Sequence, residues 1–331
     1  MRFLIVGGGS MGKRRTRCLL ANKVATGDIR VVDTRADRRD EVKEECSVET
    51  FEHLDVGLKW DPDAVIVSVP GAYHMDICLA AARQKKHVFC EVPLSTSLKG
   101  IDELTSLASR HKLVVAPGCQ RPFHPLLKKC KSWIDESFGK VLFIHEMFGD
   151  YLPDWHPYED YRKFYASDQE MGGGNIDVIA QELVAWYWLL GDRAKELCCN
   201  GHHLSTLELN GSDYFQIFAA TETGIAMTFQ FDMIQRFTFM GYRIVSEQGT
   251  IELNGETKQA RRFLASTGQW ETYDLPSDYQ PEQQYIDEIA VLIDCIRGNA
   301  TWYNPINQAA DVVRFLLAMQ KSMSERKVVR I

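Results

Sequence analysis

The chain has 331 residues, 45% hydrophobic and 25% charged, with a formal net charge of -7. That length predicts two domains, and the acidic balance argues against nucleic acid or an anionic membrane as the main partner. Its nine cysteines are odd in number and scattered, with no CxxC pair, which favours buried thiols in a reducing cytoplasm over a disulfide framework or zinc site.

The opening MRFLIV runs at once into glycines and is too short for a signal-peptide core. The most apolar helical stretch, 183–190, falls well short of a membrane span. Strands are expected at 3–6, 29–32, 64–69, 88–91 and 113–116, and helices near 11–20, 74–84 and 98–110. Strands alternating with helices imply a parallel, doubly wound sheet. The runs VVDT and VIVSV are apolar on both faces, as strands covered by helices on both sides should be.

After about Phe123 the segments lengthen, with strands expected at 141–147, 195–202, 214–220, 226–231 and 237–246. Asn210-Gly211 and Thr223-Gly224 read as turns between them. A helix at 176–190 interrupts this run, and two helices, 282–297 and 307–321, close the chain. The predicted fold class is α/β. A Rossmann doubly wound parallel sheet occupies residues 1–122. A substrate and oligomerisation α+β domain with a large, mostly antiparallel open sheet occupies 123–331, its closing helices available to pack back on the first domain.

Gly7-Gly8-Gly9-Ser10-Met11-Gly12 contains G-x-G-x-x-G directly after a strand and before a helix. Gly7 permits the tight turn, Gly9 lets the backbone approach a pyrophosphate, and Gly12 lets helix and strand pack closely. Ser10 and Met11 then open the helix whose positive end faces the phosphates. Asp33 ends the next strand, where an acid binds the adenosine ribose hydroxyls and favours NAD over NADP. Arg35 and Arg38 follow and keep NADP open. The bland reading, a glycine turn that only lets a helix pack, explains neither the placed acid nor the strand-loop-helix order.

At this point the chain resembles the glucose–fructose oxidoreductase / inositol dehydrogenase (Gfo/Idh/MocA) family. The glycine loop carries the resemblance, followed by PDAVIVSVPGAYHMDICLAAARQKKHVFCEVPLS at 62–95 and GCQRPFHP at 118–125. GGGNIDVIAQEL at 172–183, EQGTIEL at 247–253 and YIDEIAVLIDCIRGN at 285–299 extend it. The resemblance implies a Rossmann domain plus an open-sheet domain, with a homodimer or homotetramer formed through that sheet. It also implies hydride transfer between a nicotinamide ring and a hydroxyl-bearing carbon of a sugar or polyol. Two positions depart from the family pattern. The Glu-Lys-Pro motif reads Glu91-Val92-Pro93 here, and valine has no proton to give. The Asp and the His four residues on read Asp177 and Gln181; an amide is no general base, although it hydrogen-bonds a hydroxyl.

Some group must still take the alcohol's proton. His156 and Tyr161, in the loop YLPDWHPYEDYRKFY at 151–165, are the candidate substitutes beside Asp177 and Gln181. Trp155, Arg162 and Tyr165 of the same loop are candidate substrate contacts. Sugar C–H faces stack on aromatics, and Arg162 suits a carboxylate or phosphate. The alternative is a long loop stapled down by its own aromatics, with its charges in solvent. Ser68, Pro70, His74, Glu91 and Pro93 lie where a Rossmann cofactor binds. His74 has a competing role in packing or capping its helix, and Glu91 in capping a turn. Arg121 is expected on the substrate or cofactor, or alternatively bonded across the hinge. Gly172 to Gly174 suit a second anion or close packing equally. His202 and His203 alternate faces on a strand, and no metal is expected.

Three functions compete. The first is an NAD(P)-dependent oxidoreductase acting on a sugar, nucleotide sugar or acidic sugar through a rebuilt proton relay. The second is a non-redox lyase or glycoside-cleaving enzyme that retains NAD. The third is a non-catalytic NAD(P)-binding sensor.

Overall fold

A computed structural model describes every residue except Asn175, which falls within the glycine-led stretch at 172–183, and the side chain of Ser137. Two compact units are present: Met1–Gln120 with Gln280–Ala310, and Arg121–Tyr279 with Asp311–Ile331.

The first unit is built on β1 (Phe3–Val6), α1 (Ser10–Ala21), β2 (Ile29–Val32), α2 (Ala36–Cys46), β3 (Glu49–Phe51), α3 (Leu54–Lys59) and β4 (Ala64–Val67). It continues with α4 (His74–Arg83), β5 (His87–Cys90), α5 (Ile101–His111) and β6 (Val115–Pro117). The six strands are parallel in the order β3-β2-β1-β4-β5-β6, so the order reverses between β1 and β4. Every residue of β1 and β4 is buried, the consequence of helices on both faces.

Register decides what stands at the sheet's carboxyl edge. Val32, Val6, Val67, Cys90 and Pro117 are successive partners in one row across five strands. The next residue of each strand, Asp33, Gly7, Ser68, Glu91 and Gly118, therefore leaves the sheet at the same level. Ligands of open α/β sheets bind at this edge, by the reversal of strand order.

Two elements of this unit escape sequence patterning. Only Val42 and Cys46 of α2 are buried, so ADRRDEVKEEC shows almost no apolar stripe. The three residues of β3 form a half-exposed edge strand, below the length at which period two can be read.

The second unit opens with α6 (Pro125–Ser137), β7 (Val141–Tyr151) and α7 (Leu152–Trp155), then short 3-10 turns at Tyr161–Lys163, Tyr165–Ser167 and Gln169–Met171. There follow α8 (Ile176–Leu190), β8 (Ala194–His202), β9 (Tyr214–Thr221), β10 (Ala226–Asp232), β11 (Ile234–Ser246), β12 (Gly249–Asn254), β13 (Gln259–Leu264) and β14 (Gln269–Asp274). After these come α9 (Gln283–Ile296), which packs on α1 within the first unit, and α10 (Ile306–Glu325). The last strand, β15 (Val329–Arg330), pairs with β8.

The sheet of the second unit runs β14-β13-β12-β11-β7-β10-β9-β8-β15 and is antiparallel except where β10 lies parallel to β7. Twelve residues of α8 are buried. Its Trp186 ring meets Phe229 of β10 and Tyr242 of β11, which fixes the helix against the inner face of the sheet. The α/β plan of parallel and mostly antiparallel sheets is the one expected, with the strands β12, β13 and β14 added. QARRFL and QWETYD are too polar to announce themselves; none of the residues of β14 is buried.

Candidate functional site

In the first unit the three motif glycines serve different ends. Gly7 has φ +103, and a Cβ there would stand 2.3 Å from the Ser68 carbonyl oxygen. A Cβ at Gly12 would stand 1.8 Å from the Gly7 carbonyl oxygen. Both positions are demanded by the protein's own packing. Gly9 is not: with φ -72 it caps α1 in an ordinary conformation, and its Cβ would meet only the Arg38 guanidinium, at 3.6 Å. That space beside the start of α1 is open. The N–H groups of Ser10 and Met11 lie in the first helical turn, which lacks intrahelical acceptors. A pyrophosphate fits this arrangement.

Asp33 is buried, and both of its oxygens are held. Oδ2 accepts from the Gly8 N–H at 2.7 Å and Oδ1 from the Arg35 N–H at 2.9 Å. Arg38 Nη1 lies 3.9 Å from Oδ2. The acid is thus locked beside the glycine loop with its charge facing any group bound there.

The segments after β4 and β5 are strapped together by His74. Its ring nitrogens lie 2.7 Å from the Val69 and Pro93 carbonyl oxygens. Burial pushes its pKa below the usual histidine range, and a neutral ring has one N–H to donate. Ser68 and Pro70 belong to the same edge, where the Pro70 carbonyl accepts from Tyr73.

Glu91 is engaged from below. Arg15, fully buried on α1, donates to its two oxygens at 2.6 and 3.1 Å. The same guanidinium lies 2.7 Å from Glu288 of α9. Glu288 accepts from the Cys119 N–H at 2.6 Å and contacts the Tyr303 hydroxyl at 2.8 Å. Burial holds the Glu288 pKa above the usual carboxylate range even against Arg15. In the sequence Arg15 lies within the basic run Lys13-Arg14-Arg15-Thr16-Arg17, and nothing there sets it apart from its neighbours. An arginine on the buried face of a helix signals an acidic partner, but it does not say which.

In the second unit Asp177 sits in the first turn of α8, 9% exposed. The Tyr165 hydroxyl donates to its Oδ2 at 2.7 Å, and the Val178 N–H donates to Oδ1 at 2.9 Å. Burial raises the Asp177 pKa, and the Tyr165 hydrogen bond pulls against that rise. Gln181 lies one turn further along the same face.

The loop at 151–165 is anchored by its own contacts. Leu152, Ala166, Leu207 and Met233 form a small apolar core, with Trp155, Tyr161 and Phe164 packed against it. His156 pairs with the Tyr158 hydroxyl at 2.7 Å and stacks edge-on against Phe164. The Tyr161 hydroxyl accepts from the Glu208 N–H at 3.1 Å. Arg162 is bonded to Asp160 at 2.8 and 3.0 Å and reaches Glu208 at 3.2 Å. The side chain that reaches Asp177 is therefore Tyr165, rather than His156 or Tyr161. The N–H groups of Gly173 and Gly174 bond the Asp168 and Ala166 carbonyls, which draws this loop against the start of α8.

Arg121 lies within a buried cluster of the second unit. It pairs with Glu182 and donates to the Tyr242 hydroxyl at 2.6 Å. Tyr242 donates to Glu182, and the Trp186 indole to Glu146. Burial and the adjacent Glu182 charge push the Glu146 pKa well above the usual carboxylate range. A glutamate inside IDVIAQELVAWYWLL was the one visible signal of this cluster.

Among the described residues none of the nine cysteines forms a disulfide, and all but Cys198 are buried. Among the described residues, no helix is long and apolar enough to cross a membrane, and no group of three or more His, Cys, Asp or Glu is placed to hold a metal ion.

Residues 1–119 match the Gfo/Idh/MocA oxidoreductase family, NAD-binding Rossmann fold. Myo-inositol 2-dehydrogenase of Thermotoga maritima is 29% identical over 182 residues, 54% of this chain and 52% of that protein. The 2,7-anhydro-N-acetylneuraminate hydratase of Mediterraneibacter gnavus is 25% identical over 205 residues, 61% of this chain and 53% of that protein. The matched segments thus span about half of each relative's length. The WlbA dehydrogenase from Bordetella pertussis, in complex with NADH and UDP-GlcNAcA, superimposes over 100% of this chain and 96% of its own with a TM-score of 0.83 at 15% identity. The edge-aligned glycine loop and the locked Asp33 agree with these matches, which place residues 1–119 in the Gfo/Idh/MocA oxidoreductase family, NAD-binding Rossmann fold.

Proposed function

We propose that the protein is an oxidoreductase that binds NAD(H) at the carboxyl edge of its first sheet and acts on a sugar, nucleotide sugar or acidic sugar. The observation that carries this reading is the open space at Gly9, a glycine that its own protein does not need. Asp33 supports NAD over NADP, because its fixed carboxylate would repel a 2′-phosphate. Bound nicotinamide would supply the hydride acceptor or donor, and the chain supplies position and the proton path. Gly9, Ser10, Met11 and Asp33 would hold the dinucleotide, with Arg38 beside the adenosine end. Similarity to an inositol dehydrogenase and a nucleotide-sugar dehydrogenase supports the substrate class.

A second reading has its own support. Val92 occupies the place of the family lysine, and one relative is named a hydratase. A non-redox enzyme retaining NAD would form product with no net change in NADH. Buried thiols that form no disulfide among the described residues suit a reducing cytoplasm. Exposed Leu142, Phe143 and Phe218 on the open sheet suit self-association into a homodimer or homotetramer.

The test is a fluorescence titration with NADH and NADPH, followed by turnover assays over a panel of inositols, sugars and nucleotide sugars. The oxidoreductase reading expects NADH binding and a substrate-dependent change in absorbance at the reduced-nicotinamide band. Product without that change favours the second reading, and absence of cofactor binding refutes both.

A further inference from the structure

We propose that Arg15 is a positioning residue for the cofactor: it fixes the Glu91 carboxylate as the acceptor for the hydroxyls of the ribose on the nicotinamide side. The inference rests on the dinucleotide reading above, deepens it to the second half of the ligand, and involves the first unit alone.

The carboxyl edge of the first sheet carries two acids. Asp33 leaves β2, one strand to one side of the glycine loop that follows β1, and Glu91 leaves β5, two strands to the other side. Three strand spacings of about 4.8 Å put them about 14 Å apart along the edge. A dinucleotide has the same plan, a pyrophosphate with a ribose diol on each side, and it lies across the point where strand order reverses. With the pyrophosphate at Gly9 and one ribose at Asp33, the other ribose is carried toward Glu91.

The two acids are held differently. Asp33 accepts from backbone N–H groups. Glu91 has its backbone N–H on the Val67 carbonyl at 3.0 Å and its side chain on the Arg15 fork, Nε to Oε1 at 2.6 Å and Nη2 to Oε2 at 3.1 Å. The guanidinium is itself held. It stands 4.5 Å from the centre of the Phe89 ring and 5.4 Å from that of Tyr285, and its Nη1 lies 2.7 Å from Glu288. The Arg15 and Glu288 side chains are fully buried, while that of Glu91 is 13% exposed, so the ion cluster meets the surface at Glu91. Apolar side chains of like volume hold a helix on a sheet as well as buried charges do. What they do not supply is a carboxylate whose two oxygens are fixed by a rigid fork and keep lone pairs to spare. A vicinal diol donates to such a pair of oxygens.

The test measures binding of ADP, ADP-ribose and NADH to the full chain by calorimetry. ADP carries the groups for the glycine loop and Asp33, and ADP-ribose adds the second ribose without nicotinamide. Wild type should bind ADP-ribose more tightly than ADP. Glu91→Ala should weaken ADP-ribose and NADH about ten- to 150-fold, the loss of a charge-assisted hydrogen bond, with ADP within about twofold. Arg15→Lys keeps the charge and loses the fork; it should weaken ADP-ribose and NADH about tenfold and again spare ADP. Arg15→Met combined with Glu288→Gln removes the cation together with one carboxylate and leaves only Glu91, which reaches solvent. It should show the same pattern, and it serves should the lysine variant not fold. Adding Arg15→Lys to Glu91→Ala should cost ADP-ribose nothing further, because the arginine acts through Glu91. Equal weakening of all three ligands would make Arg15 a merely structural residue. ADP-ribose affinity within about twofold of wild type in either arginine variant overturns the proposal, as does a wild type that binds ADP-ribose no more tightly than ADP. A wild type that binds none of the three overturns the dinucleotide reading itself.

Discussion

Replacing Gly9 and Gly12 separately by alanine divides what the protein needs from what a ligand needs. At Gly9 the added methyl meets only the far end of Arg38, at 3.6 Å, and the backbone is one that any residue adopts. Reduced freedom of the unfolded chain favours alanine by about 0.4–1 kcal/mol. The weaker N-cap preference of alanine opposes this by about 0.5–1 kcal/mol. The net change in stability should be within about 1 kcal/mol. At Gly12 the methyl would lie 1.8 Å from a backbone oxygen, so α1 must shift from β1 at about 1–3 kcal/mol or more. For a unit of this size that lowers the melting temperature by roughly 2–12 °C. NADH should read the opposite order at Gly9. A methyl that displaces the pyrophosphate from one backbone N–H removes a charge-assisted hydrogen bond of about 1.5–3 kcal/mol, which weakens affinity about ten- to 150-fold. Differential scanning fluorimetry and NADH fluorescence titration measure the two effects. A Gly9→Ala protein that binds NADH within threefold of wild type would refute the placement of the dinucleotide.

Two further substitutions test the buried charges. Arg15→Leu leaves Glu91 and Glu288 facing each other without their cation, at a cost of about 3–5 kcal/mol; the melting temperature should fall accordingly and largely recover when both glutamates become glutamine. No fall on the single substitution would show that the network contributes nothing. Glu146→Gln should be at least as stable as wild type at pH 7–8, because glutamine both accepts from Trp186 and donates as the protonated acid does. The Glu146 pKa is raised on folding, so the folded state binds the extra proton and its contribution is fully present below about 4.5. That stability is lost as pH rises toward the folded pKa, by up to about 1.4 kcal/mol per pH unit. Melting curves from pH 5 to 9 should show that decline in wild type and a flatter course in the variant. Parallel curves would mean that Glu146 is ionised throughout.

The sequence by itself determined the local elements and the glycine loop. FLIV is a strand because four consecutive apolar residues cannot face water on either side, and in IRVV the three apolar residues are buried while Arg30 is only half-buried; both strands occur where expected. The long apolar run from Ile176 to Leu190 likewise specified α8 to its ends. Gly7 and Gly12 were legible because only glycine tolerates their conformation or their closeness to neighbouring backbone. What tertiary structure decided was partnership. Arg15 meets Glu91 76 residues away, and register at the carboxyl edge, invisible in either segment, sets that pair. His156 and Tyr161 had the right chemistry but their loop folds onto its own apolar core, which turns them toward Tyr158 and Glu208. Tyr165 reaches Asp177 because the turns between them reverse the chain. A titratable side chain's identity is written in the sequence; its charge and its partner are set by burial and by what the fold brings within hydrogen-bond reach.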